Sequence, residues 1–433
     1  MKEPNPPLKR LKANRRQFLA ASAAALSVPT IVPSHVFAKA DQPAPSDRVI
    51  VGSIGTGSLG LGHHLANMLL PNPRVQIGAV CDVDRAHREE AQQLILSKTG
   101  NQVEGYNDFR DLCDRPDIDA VLIAVPDHWH ALIAHYAIEA GKDVYCEKPL
   151  TYTIDEGKKL VQSARRYGTV FQTGSQQRSD AKFRQACELV RNGKIGKLAR
   201  VDTHIGEIDS GAWEPTAAPP AELDWNFWLG PAPYTEYAKN RVHYQFRWFS
   251  DYSGGKLTDW GAHHNDIAQW GIGADGSGPV KVSGAGKFHD NGPHDVPGTF
   301  DVKYTYANGV ELHCHAAGEN GVKFTGTDGW IFVSRGKIEA SNPELLTLDL
   351  AGAEVRLPVS NHHHDNWLDC IKSRERPICD VEIGHRSVTI CHLGNIAIKL
   401  GRELAWDPAK EAFVGDQEAN LLTSKPKRAP WYL

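Results

Sequence analysis

No C-x-x-C pair occurs in the 433 residues; the eight cysteines stand apart at 81, 113, 146, 187, 314, 370, 379 and 391. Structural zinc takes paired spacings and disulfide frameworks crowd short chains, so buried thiols are expected, with one bridge among Cys370, Cys379 and Cys391 left open. An excess of positive charge is also missing. The formal net charge is −4, and the first 38 residues hold six Lys/Arg against one acid, which leaves 42 Lys+Arg and 51 Asp+Glu in the rest. Such a body is a poor partner for nucleic acid or an anionic membrane. With 41% apolar and 23% charged residues, disordered and collagen-like chains are excluded, and the length suggests two or three globular domains.

A long apolar run able to span a bilayer is absent as well. Asn14-Arg15-Arg16-Gln17-Phe18-Leu19 leads into an Ala-rich stretch to Val32 that is short and broken by Pro29 and Pro33. Small residues come next at Val36-Phe37-Ala38, with Ala38-Lys39-Ala40 as the alternative cleavage site. The paired arginines resemble a bacterial twin-arginine signal, which exports folded proteins; a general secretory signal or an uncleaved anchor is the alternative. Residues 1–38 are therefore set aside as an export signal, and a periplasmic or secreted protein with no membrane span after its removal is expected.

From Arg48 onward the residues alternate in an α/β pattern. Val49 to Ile54 reads as a buried strand, then comes Gly55-Thr56-Gly57-Ser58-Leu59-Gly60, a helical segment at 61–70, and a second strand from Val75 to Cys81 ending at Asp82. This is the βαβ setting of a dinucleotide cradle. Gly55 permits the tight turn, Gly57 admits a pyrophosphate and Gly60 lets helix pack on strand, while Ser58 and Leu59 open the helix whose N-terminus favours phosphate. Asp82 accepts from ribose hydroxyls and repels a 2′-phosphate, so NAD is expected over NADP, with nearby Arg85 weakening the preference. Two more buried strands, Ala120–Val125 and Asp143–Cys146, lead into loops that should face the cofactor with Pro126, His130, Glu147 and Lys148. Gln176 and Arg178 lie just past the strand at 170–173.

The glycine motif, Asp82, Glu147-Lys148-Pro149 and the later Gly254-Gly255-x-x-x-Asp259-x-Gly261-x-His263-x-x-Asp266 resemble the Gfo/Idh/MocA oxidoreductases over nearly all of the chain beyond the signal. The resemblance implies an N-terminal Rossmann domain (48–175) with a doubly wound parallel sheet. It is followed by a substrate-binding α/β domain (176–433) with a large, open, mostly antiparallel sheet. It also implies hydride transfer between NAD and a ring hydroxyl of a sugar or cyclitol, with Lys148, Asp259 and His263 as the catalytic set. A homo-oligomer is expected.

The residues of the second half agree with such a sheet. Phe300, Val302, Tyr304 and Tyr306 alternate with polar positions before a two-residue hairpin signal at Asn308-Gly309, and helices are expected at 179–192, 260–271, 362–373 and 384–401. The last of these either caps the sheet or returns to the first domain. Eleven aromatics crowd residues 213–252; at least half should fill a loop-rich core, with Tyr244 and Trp248 as sugar contacts beside Arg178 and His264.

Removing a hydride from a carbinol requires a base for the hydroxyl proton. His263, with a reference pKa of about 6.5, is that candidate, and where this stretch starts a helix Asp259, four residues earlier, shares its face and can hold the imidazole or share its role. Lys148 is placed as donor to the same hydroxyl, and Pro149 is expected in cis. Three adjacent histidines, 362–364, do not converge on a helix, so no metal is expected, although one of them has a chance of reaching substrate. Three activities compete: an exported sugar or cyclitol dehydrogenase that retains NAD, an NAD-dependent glycoside-cleaving enzyme using transient oxidation at C3, and a non-catalytic sugar-binding protein with a vestigial Rossmann domain.

Overall fold

The parallel sheet grows from short apolar runs that are buried on both faces, as strands flanked by helices must be. In the computed structural model, which describes Ala44 and residues 47–433, these are β1 (Val49–Ile54), β2 (Val75–Cys81), β3 (Glu104–Tyr106), β4 (Ala120–Ile123), β5 (Asp143–Cys146) and β6 (Phe171–Thr173). The export segment read at 1–38 lies outside the described residues. The strand order is β3-β2-β1-β4-β5-β6 with every pairing parallel. Connectivity reverses between β1 and β4, which opens a crevice at their C-terminal ends.

The second sheet contains β7 (Leu198–His204), β8 (Lys281–Lys287), β9 (Thr299–Thr305), β10 (Glu311–His315), β11 (Gly321–Gly326), β12 (Trp330–Ser334), β13 (Lys337–Ala340), β14 (Leu404–Asp407) and β15 (Ala412–Phe413). Their order is β13-β12-β11-β7-β10-β9-β8-β14-β15, antiparallel except where β7 meets β10. Strand alternation buries one face: Phe300, Val302, Tyr304, Leu312, Cys314 and Phe324 pack against helices Ala181–Arg191, Gly261–Ile272 and Val381–Leu400. Each such apolar side chain contributes about 1.5–3 kcal/mol of burial. The β9–β10 hairpin has a three-residue loop rather than the two-residue one read from Asn308-Gly309. Tyr306 and Val310 close the ladder and Gly309 takes φ +85°.

The four long helices of this half fall at Ala181–Arg191, Gly261–Ile272, His363–Ser373 and Val381–Leu400. The last both caps and returns. Val381 and Val388 pack into the core of the parallel sheet, while Ile390, Leu393 and Ala397 join the core of the mixed sheet. Helix His363–Ser373 also crosses back, setting Trp367 and Leu368 beneath β1 and β4. Both sheets thus belong to one unit, Val49–Leu433. All eight cysteines are free and buried, and among the described residues no helix is long and apolar enough to cross a membrane.

Candidate active site

Local backbone demands explain the cofactor cradle. Gly55 turns at φ +86°, and a Cβ there would meet Ala124 O at 2.4 Å; at Gly60 it would strike Gly55 O at 2.0 Å. At Gly57 the nearest neighbour of such a Cβ is His87 at 3.7 Å, so this glycine keeps open a cavity of about 470 Å³. Gly55, Gly57, Ser58, Leu59, Pro126 and Asp82 line one side of it. Gly60 lies beneath. The Asp82 carboxylate accepts the Thr56 N–H at 2.7 Å and the Asp84 N–H at 2.9 Å, which fix it at the cavity wall. Burial raises its pKa while those two donors oppose the rise. Its spare lone pairs suit a vicinal diol. Arg85 pairs with Glu89 at 3.3 Å. The cradle, the open space at Gly57 and the placed acid fit NAD.

The opposite wall was not legible in the sequence. Leu223, Phe227, Trp228, Tyr244, Phe246 and Arg247, from the aromatic segment of the second half, close over the cavity. Seven of the eleven aromatics between 213 and 252 are buried, and most of these form a core of their own. His243, held at φ +52°, brings its ring to 5.0 Å from that of His87 on the cradle side. With Asp84 these two place one ligand atom each within 4.8 Å of one another, a His-His-Asp grouping that no spacing in the sequence signals.

Beyond β5 the Lys148–Pro149 peptide is cis. Glu147 is buried; its carboxylate lies 3.2 Å from His64 Nε2 and accepts from Gln176 Nε2 at 2.7 Å. Burial would raise this carboxyl, but His64, Lys148 and Gln176 bring it down to about 2. Gln176 therefore acts on the loop that carries Glu147 and Lys148. His130 has the same kind of role: its ring bridges Pro149 O at 2.7 Å and Val125 O at 2.9 Å and is 1% exposed. It staples the two cofactor loops together and does not reach the cavity, a correction to the cofactor contact expected of it.

Lys148 and Asp259, 111 residues apart, meet. Lys148 Nζ donates to Asp259 Oδ1 at 2.8 Å and to the Asp259 carbonyl at 3.2 Å. Arg247, which lines the cavity, brings Nε to 3.4 Å from the same Oδ1. Burial acts to raise the Asp259 carboxyl, but Lys148 and Arg247 prevail and hold it below its usual range. The helix Lys256–Asp259 breaks at Trp260, and His263 sits in the first turn of the next helix. Asp259 consequently holds the lysine, not the imidazole as the four-residue spacing suggested. His263 packs edge-on against Trp260, with ring centroids 5.7 Å apart, and its Nδ1 has no partner. Burial, then the charges of Lys148 and Arg335, push its pKa well below 6.5.

The imidazole is consequently neutral at neutral pH, and the sign of the shift sets a pH profile. Lowering the pH through 6.5 leaves His263 unprotonated, so kcat/KM for hydroxyl oxidation is expected to hold through that range and to fall only under more acidic conditions. A rate that halves near pH 6.5 and tracks one ionisation would contradict this.

Several expected substrate contacts are committed elsewhere. Arg178 is 2% exposed, with Nε 2.8 Å from Asp266 Oδ2 and Nη2 2.8 Å from Asp275 Oδ1; it is an internal ion pair. His264 spans Gln177 Nε2 at 3.3 Å and Asn320 Oδ1 at 2.9 Å, and burial lowers it to about 4. It positions the helix. Trp248 is buried, its ring 6.2 Å from that of the exposed Tyr244, which does line the cavity. His363 bonds Ser179 and Thr173 O, and His364 stacks on Tyr145, so neither faces substrate.

The sequence profile described as "Oxidoreductase family, NAD-binding Rossmann fold" matches residues 49–175, and "Oxidoreductase family, C-terminal alpha/beta domain" matches 210–433. The chain is 25% identical to a scyllo-inositol 2-dehydrogenase (NAD(+)) of Bacillus subtilis over 75% of this chain and 86% of that one. It is 31% identical to a glycosyl hydrolase family 109 protein of Shewanella pealeana over 47% of this chain and 50% of that one. Apart from the inositol dehydrogenase, the chain spans about half the length, or less, of the first curated relatives it matches. Among solved structures, the WlbA dehydrogenase of Bordetella pertussis, in complex with NADH and UDP-GlcNAcA, superposes with a TM-score of 0.63. The identity there is 16% over 83% of this chain and 99% of that one, a likeness of fold. The profiles together cover the cradle, the Glu147-Lys148 loop and the Asp259–His263 segment, and the chain belongs to the Gfo/Idh/MocA family of NAD-binding oxidoreductases.

Proposed function

We propose that the protein is an exported oxidoreductase that moves a hydride between a retained NAD and a ring hydroxyl of a sugar, glycoside or cyclitol. The Lys148–Asp259 ion pair supports this reading, with His263 close enough to feel the Lys148 charge and Arg247 linking Asp259 to the cavity wall. Gly57, Asp82 and the Glu147 loop would hold NAD, which supplies a two-electron hydride acceptor when bound. His263, neutral and desolvated, takes the proton of the substrate hydroxyl. Lys148 Nζ, aimed by Asp259, donates to the oxygen as it becomes a carbonyl. The relation to inositol dehydrogenases supports an alcohol substrate on a ring.

Retention of the cofactor is supported by the wall of Phe227, Trp228, Tyr244 and Phe246, which encloses the cavity from the second half of the chain. It also suits the twin-arginine-like start, because an exported enzyme has to carry its nucleotide with it. Protein purified without added cofactor and then heat-denatured is expected to release NAD(H) at near one equivalent, read by mass spectrometry. Nucleotide-free protein would overturn retention. The similarity to a family 109 hydrolase supports a second reading, glycoside cleavage in which the hydride is returned within each cycle. In that case aryl glycosides release aglycone with no net NADH.

A further inference from the structure

Positive charge is in surplus around the reacting position. Lys148 and Arg247 share the single carboxylate of Asp259. The other two acids nearby are committed: Glu147 to Gln176 and His64, and Asp127, buried, to the Ser253 hydroxyl. Two further cations stand against the ring beside His263. Arg335, in the turn between β12 and β13, places its guanidinium carbon 4.8 Å from the Trp260 ring centroid, and Lys256 Nζ lies 5.6 Å from the same centroid. Neither forms an ion pair among the described residues. Lys256 Nζ is also 5.9 Å from the Trp248 ring, and its stem passes Gly206, where a Cβ would come within 3.1 Å of it. Arg335 Nε donates to Gln177 Oε1 at 3.3 Å, and Gln177 Nε2 donates to the carbonyl of His263 at 3.3 Å. Gln177 is 4% exposed, so Arg335 is tied to the catalytic helix through a buried amide.

We infer that Lys256, Arg335 and the face of Trp260 form a subsite for an anionic group of the substrate, making the preferred substrate a sugar acid rather than a neutral sugar or cyclitol. This deepens the hydride-transfer reading and rests on it. Lys148 and Arg247 already share Asp259, while Lys256, half-buried, and Arg335, exposed, have no ion-pair partner among the described residues; solvent screens part of the repulsion among these cations, and a negative group joining them relieves the rest. Oxidised nicotinamide would add one more positive charge. A carboxylate or a phosphate on the ring supplies the missing charge through charge-assisted hydrogen bonds, and each such contact changes affinity by roughly 10- to 100-fold.

Calorimetric titration of the purified protein with its resident NAD tests this. The probes are D-glucuronate, D-galacturonate and D-mannuronate, the parent neutral hexoses, and the hexose 6-phosphates. At least one acid is expected to bind tenfold or more tighter than its neutral parent, with an advantage that shrinks as salt is raised. Tighter binding of the uronates assigns a carboxylate, and of the phosphates a phosphate. Lys256→Met and Arg335→Gln should each lower the acid-to-neutral affinity ratio about tenfold, and Arg335→Lys should restore part of it, with NAD content as the folding control. Equal or tighter binding of the neutral parents overturns the anionic subsite, as does failure of every acid to bind. The hydride-transfer reading is followed separately by reduced-nicotinamide absorbance on adding any of these sugars. A neutral sugar that reduces the bound cofactor and binds at least as tightly as its acid leaves that reading standing while the subsite falls.

Discussion

Lys148→Ala is expected to lower substrate-dependent reduction of the bound cofactor by about 10²–10⁴-fold, the usual contribution of a positioned proton donor. In the proposed reaction the ammonium faces the substrate oxygen, and the ion pair with Asp259 aims it. Its removal leaves Asp259 only the more distant Arg247 guanidinium, 3.4 Å away, which is anchored to the Tyr244 carbonyl and cannot take the same position. Nucleotide content should stay near that of the parent protein, because Gly55, Gly57 and Asp82 of the cradle follow β1 and β2, whereas Lys148 follows β5, two strands from β1. Single-turnover reduction of resident NAD is the decisive readout. Full activity in Lys148→Ala with ligand binding preserved would favour a sugar-binding protein with an idle cofactor domain.

Arg178→Ala is expected to act on stability instead. The side chain is 1% exposed, forked onto Asp266 and Asp275, and Asp266 also accepts the Ser387 hydroxyl from helix Val381–Leu400. Truncation strands the buried Asp266 carboxylate, which costs about 3–5 kcal/mol. A lowered thermal midpoint and poor yield should result. Removing both charges in Arg178→Met with Asp266→Leu should cost less than the single change, because no uncompensated ion remains. A variant that keeps its midpoint but raises KM would return Arg178 to the substrate.

The cradle could be read from residues 49–82 because its requirements are local. An apolar strand, a glycine forced to φ +86°, another with no room for a Cβ and an acid at the end of the next strand all fall within 34 residues. The Asp259–His263 segment was visible only as a spaced motif, and its spacing misled: the helix breaks at Trp260, which turns Asp259 toward Lys148. Arg247 stood just ahead of that motif and Lys256 inside it without marking themselves, and Arg335, in a hairpin turn 72 residues after His263, carried no signal at all. Arg178 and His264 looked available because sequence shows a polar group but not the partner that satisfies it.

Residue order was enough to specify the parallel strands, the alternation of the second sheet and the nucleotide turn, since these depend on periodicity and on backbone conformations that few residues tolerate, while the lysine, aspartate and histidine stood out only through motifs that resemble the family's. Which charges are spent on each other, and which remain for a ligand, was decided by the folded packing alone. Pairings across 88 or 111 residues depend on where helices cross and strands end, and desolvation then fixes the protonation state of each group so placed.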